Sequence, residues 1–116
     1  MARNVAKERL DMCIKFGAPF VDADQSHKVG IAENVREGLM PVNGLRLLPE
    51  GDFSGWYIWA GTDMHPEDDD FYKPLHVSHI DSWSPMVSKY LGLAPGWRFL
   101  VAEDYEDVWF DPAILS

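Results

Sequence analysis

Eight residues, "SGWYIWAG" from Ser54 to Gly61, constrain this chain more than any other stretch. They are aromatic and β-branched, and glycines flank them, which is the composition of a β-strand. In a strand, alternate side chains point to opposite faces. Trp56, Ile58 and Ala60 then share one face, and Tyr57 and Trp59 the other. Both faces are apolar, so the strand needs cover on both sides and belongs in the middle of a sheet.

The remaining elements are read around that strand. Ala6, Leu10, Cys13, Ile14 and Gly17 recur at three- and four-residue spacing and predict an amphipathic helix over about Asn4 to Phe16, ended by Gly17 with Pro19 just beyond. "HKVGIAENV" predicts a short strand. In "MPVNGLRLLPEG", Asn43-Gly44 reads as a turn and Leu45 to Leu48 as a second short strand. In "DSWSPMVSKYLGLAPG", Ser84 suits an N-cap and Pro85 a first helical position, with Met86, Val87, Tyr90 and Leu91 as an apolar stripe. That predicts a second helix near 85–91. Finally, "WRFLVAEDYEDVWF" reads as strands Trp97 to Ala102 and Asp107 to Phe110 joined by the acidic turn "EDYE". The expected class is α+β, a mostly antiparallel sheet with these two helices, in a single domain over 1–116.

Charge is distributed unevenly. Residues 1–50 carry seven acids and seven bases; residues 51–116 carry twelve acids against Lys73, Lys89 and Arg98, so the formal charge of −9 belongs to the second part. Such a surface repels phosphate backbones, which argues against a nucleic-acid partner; it attracts basic proteins, although on charge alone solubility is the plainer reading. No run approaches the roughly 18 apolar residues of a membrane span. The first residues have no apolar core of the kind that signal peptides carry. Cys13 is the one cysteine, which rules out an internal disulfide and a Cys-rich zinc site; on the helix's apolar stripe it reads as a small core residue. The expected compartment is the cytoplasm.

Catalytic signals are weak. His76 and His79 are spaced H-x-x-H, and His65 or an acid of "PEDDD" could add a third ligand, but no closed metal motif is present. There is no nucleophile elbow, phosphate-cradling loop or dinucleotide fingerprint. No metal site, cofactor or enzymatic activity is expected. Trp56, Trp59 and Trp97 lie in apolar runs and read as core. Trp83 and Trp109 lie among acids, which suits an interface centre and a half-buried strand equally.

Three blocks in order, "GLRLLPEGDFSGWYIWAG", "DDDFYKPLHVSHI" and "YLGLAPGWRFLVAEDYEDVWFDPAIL", resemble the Imm33-type immunity-protein family, over roughly Gly17 to Leu115. The resemblance implies a small intracellular protein that binds and neutralises a cognate toxin and catalyses nothing. It carries over no agreed set of binding residues. Gly55, Trp56, Pro74, His76, His79, Gly96, Trp97 and Asp107 are motif positions that serve either fold or binding. The candidate gripping surface is acidic: Asp68, Asp69 and Asp70 in one turn, Glu103, Asp104, Glu106 and Asp107 in another, with Trp109 as an aromatic anchor. A basic nuclease-type toxin domain is the kind of partner that surface would suit. Two other readings stay open, a metal-dependent small enzyme or a small-ligand-binding module, either using His76 and His79, with Trp59 or Trp109 as a ligand platform.

Overall fold

A computed structural model describes residues 4–61 and 71–115. Its centre is one six-stranded sheet. In chain order the strands are β1 (Lys28–Ala32), β2 (Val42–Arg46), β3 (Phe53–Ala60), β4 (Tyr72–His76), β5 (Trp97–Ala102) and β6 (Tyr105–Phe110), and in space β4-β1-β3-β2-β5-β6. Only β1 and β3 pair in parallel; the other four pairings are antiparallel. The class is therefore α+β with a mostly antiparallel sheet, as the sequence indicates.

"SGWYIWAG" occupies β3, third in the sheet. Trp56, Ile58 and Ala60 are buried in the main core, between the sheet and the helical layer. Trp59 is buried on the opposite face with Ala32 and Leu45, and Tyr57, Phe71, Tyr72 and Ile114 pack around them. Both faces of the strand are covered, so its two-sided apolar pattern has a direct cause.

Helix α1 (Val5–Phe16) has the expected ends. The Asn4 side chain accepts from the Lys7 N–H at 3.0 Å, and Gly17, at φ +71°, turns its own N–H and that of Ala18 back to the carbonyls of Ile14 and Cys13. Its buried face differs from the expected one. Leu10 is 40% and Ile14 69% exposed, while Arg9 and Cys13 are buried. The helix is rotated because Arg9 is a core residue. Its guanidinium donates to the Ser88 carbonyl (2.9 Å) and hydroxyl (3.3 Å) and to Asp22 (3.0 Å). A buried cation persists only when satisfied in this way.

Asn43-Gly44 is not a turn. Both residues lie inside β2, paired with β3 on one side and β5 on the other. Gly44 is there because the Phe99 ring from β5 lies against it, where a Cβ would overlap the ring. The Asn43 amide bridges strand ends, donating to the Gly61 carbonyl at 2.7 Å. The actual β2–β3 reversal is at "PEGD", where Glu50 and Phe53 exchange backbone hydrogen bonds around Gly51 at φ +58°.

The second helix near 85–91 takes a tighter form. Short helices α2 (Glu33–Arg36) and α3 (Ile80–Trp83) flank the sheet, and Ser84 ends α3 in an extended conformation instead of capping a new helix. A turn at 85–87 leads into a single 3₁₀ turn, Ser88–Tyr90. The apolar stripe is buried as expected at Val87, Tyr90 and Leu91. The carbonyls of Ser88, Leu91 and Leu93 accept from Arg9, Trp56 Nε1 and Arg46 respectively. Those side-chain donors hold the segment in its tight path without a longer helical ladder.

Candidate functional site

The acidic run "EDYED" forms the tip and outer strand of the β5–β6 hairpin. Glu103 and Asp104 make up a two-residue turn, and β6 begins at Tyr105, two residues earlier than the sequence suggests. Both turn acids are exposed, as are Tyr105 (55%) and Asp107. Asp68, Asp69 and Asp70 lie outside the described residues.

Because Glu106 and Asp107 are neighbours on a strand, they point to opposite faces. Glu106 turns toward the helical layer. One carboxylate oxygen receives the Lys15 ammonium at 2.6 Å; the other receives the Tyr90 hydroxyl, with Lys89 at 3.9 Å. Partial burial works against ionisation of Glu106, but the hydrogen bonds from Lys15 and Tyr90 and the two lysine charges outweigh it, and the carboxyl is held below its ordinary pKa. Tyr90 shows the reverse: burial, then the bond to Glu106 and its negative charge, push the phenol well above its ordinary value. Tyr90 therefore donates and Glu106 accepts. The Tyr90 ring stacks on Phe99 at 4.8 Å, which ties this network to the core.

Asp107 and Trp109 lie on the other face of β6. Trp109 is half-buried beneath the Arg98 guanidinium at 5.4 Å, and Arg98 also bonds Asp111 at 3.1 Å. The hairpin thus divides the acids that the sequence places together. Glu103, Asp104 and Asp107 are open to a partner, whereas Glu106 is engaged within the chain. Between the hairpin and the 86–90 segment runs an open cleft of about 310 Å³, lined by Met86, Lys89, Tyr90 and residues 101–106.

The histidine motif does not assemble chemistry among the described residues. His76, at the end of β4, and His79 are both exposed, with their rings edge to face at 5.8 Å. Among the described residues no three His, Cys, Asp or Glu side chains converge as metal ligands. Several motif positions have structural work instead. Trp56 is fully buried; Gly55 and Gly96 have φ of +96° and +94°, and a Cβ on Gly55 would collide with the Leu47 carbonyl. Burial raises the Cys13 thiol pKa, helped by Asp22, which suits a core residue.

Sequence reasoning missed two buried arginines. Arg9 sits four residues before Cys13, and Arg46 sits between Leu45 and Leu47; a base inside an apolar pattern was the signal available in each case. Arg46 donates to the carbonyls of Ser54, Leu93 and Val21, and burial lowers its pKa to about 10.

The family model of the Imm33-like domain matches residues 8–111, nearly the whole chain. The chain belongs to the Imm33-like family. The match starts earlier and stops sooner than the Gly17–Leu115 resemblance, and it takes in most of α1 and the entire sheet. No curated protein and no solved structure was found to match. The Imm33-like chain is thereby placed with immunity-type domains, and an immunity family implies a toxin as partner. No helix among its described residues is long and apolar enough to cross a membrane.

Proposed function

We propose that this Imm33-like chain is a non-catalytic intracellular immunity protein that neutralises a cognate toxin by binding it through the acidic hairpin. One observation supports the reading beyond family membership. Residues 102–110 carry four acids and no base, and three of those acids, Glu103, Asp104 and Asp107, stand exposed beside the aromatic Trp109. Acids so placed attract a basic surface and raise its association rate. A toxin that binds nucleic acid needs such a basic surface for phosphates, so a nuclease-type domain is the partner class that fits best. Asp68, Asp69 and Asp70 are included in the proposal on the sequence alone, as a second acidic segment. Glu106 acts indirectly in this scheme, by fixing the hairpin to Lys15 and Tyr90.

The test is protection. Cells that express a cognate toxin domain together with the chain should stay viable, and the two proteins should co-purify. The quadruple variant Glu103→Gln, Asp104→Asn, Asp107→Asn, Trp109→Ala should lose protection at low expression. If this variant protects and binds as the parent does, the hairpin is not the binding face.

A further inference from the structure

The hairpin offers a partner more than side chains. Strand β6 is the last strand of the sheet, and among the described residues its outer edge has no neighbouring strand. The phase of its hydrogen bonds can be fixed. Asp111 N–H donates to the Gly96 carbonyl at 2.7 Å, and the register runs Arg98 opposite Trp109, Leu100 opposite Asp107 and Ala102 opposite Tyr105. In an antiparallel pair, alternate opposed residues exchange both backbone bonds. Tyr105, Asp107 and Trp109 therefore spend their N–H and C=O groups on β5. Those of Glu106, Val108 and Phe110 point outward, and among the described residues they make no backbone bond elsewhere.

The two edges of the sheet differ. At the opposite edge, β4 carries Pro74 in mid-strand beside Lys73, two of the devices by which sheets discourage strand addition. Strand β6 has neither proline nor lysine, and its six residues pair with β5 in unbroken register. Its side chains also select an occupant. Asp107 is exposed on one face, and on the other Phe110 is 49% exposed beside the nearly buried Val108. A second copy of this chain would bring Glu106 and Asp107 toward their own equivalents, between two chains each of formal charge −9.

We infer that β6 is an open docking edge to which an extended segment of a basic partner adds as a seventh strand. The inference rests on the immunity reading and names how the partner is held. The segment alternates: basic side chains on the face of Asp107, apolar ones on the face of Val108 and Phe110. Backbone bonds to Glu106, Val108 and Phe110 supply affinity, and the alternating side chains supply selectivity.

Residue-resolved hydrogen exchange of the chain, free and bound to an inactivated form of a toxin domain that it neutralises, tests this directly. In the free chain the Asp107 and Trp109 amides should exchange slowly, and those of Glu106, Val108 and Phe110 quickly. On binding, the fast set should slow by about a hundredfold or more. A contact through side chains alone would leave that alternation unchanged and would overturn the inference, while binding itself would leave the immunity reading intact. Failure of the toxin domain to bind at all would overturn both. Slow exchange of the fast set in the free chain, together with a dimer mass in solution, would mean that a second copy occupies the edge. As a second measure, Phe110→Pro removes one outward donor that Phe110→Ala keeps. It should bind about tenfold more weakly than Phe110→Ala. Equal affinities of two equally stable variants would sink the proposal.

Discussion

Two side chains show how a single residue holds the hairpin or the core. Trp56 is fully buried, packs against Phe99 at 5.6 Å between ring centroids, and donates Nε1–H to the Leu91 carbonyl at 3.2 Å. Trp56→Ala should cost about 3–5 kcal/mol in denaturant unfolding, because it empties a large volume and strands a carbonyl. A variant that unfolds at the parent's midpoint would contradict the two-faced reading of β3. Glu106 makes a pH-dependent contribution. Its pKa is depressed in the folded chain, so the unfolded chain takes up its proton first as pH falls. The stabilisation is complete above the unfolded value, near 4.5, and is lost as pH drops through the lower folded value. Glu106→Gln should therefore destabilise by about 1–2 kcal/mol at pH 7, with Lys15 discounted for its exposure, and the gap to the parent should close below pH 4.5 or so. Unfolding free energies of both proteins across pH 3–7 check this. A gap that stays constant would mean that the Lys15 and Tyr90 contacts do not depend on charge.

At the scale of elements, local pattern was a good guide wherever the cause was local. The span of α1 and its end at Gly17, the placement of β3 and the β5–β6 hairpin follow from periodicity and turn or capping residues that lie within each segment. Where a residue's reason lies far away in the chain, the pattern misled. Gly44 looks like turn chemistry, but the Phe99 ring that requires it comes from another strand. The helix stripe through Leu10 and Ile14 is periodic, but Ser88 and Asp22 reward a rotation that buries Arg9. The candidate site was legible as a run of acids and not as two faces, because the strand was expected to start at Asp107 and it starts at Tyr105. The rotation of α1 has a measurable consequence. Ile14→Lys should change stability by no more than about 0.5 kcal/mol, since the side chain is 69% exposed. Arg9→Met should cost about 3 kcal/mol, since it removes the donor to the Ser88 groups and the cation paired with Asp22. Thermal melts of the two variants would discriminate the faces, and the reverse order would restore Leu10 and Ile14 to the core.

For the whole molecule, the decisive quantity is where the charge sits relative to the fold. The first fifty residues are neutral in sum and supply α1, β1 and β2; the net charge of −9 belongs to the remainder, and the hairpin that carries four of its twelve acids is at one edge of the sheet. Exposed charge at an edge contributes little to stability but shapes the field that an approaching protein meets. Changing Glu103→Gln, Asp104→Asn and Asp107→Asn together takes the formal charge from −9 to −6 and leaves side-chain size nearly unchanged. Under the proposed function, association with the toxin should slow by about tenfold at low salt. The dependence of that rate on ionic strength should flatten, because screening acts on the charges removed. Dissociation should change less, since a partner strand on β6 would still be held by backbone bonds. The melting temperature should stay within a few degrees of the parent's, because these three side chains are exposed and the Glu106 network is left in place. Stopped-flow association at several salt concentrations reads the rate and its slope together. If the triple variant associates at the parent's rate with the parent's salt slope, the hairpin's charge does not steer the encounter, and the acidic surface is a feature of solubility alone.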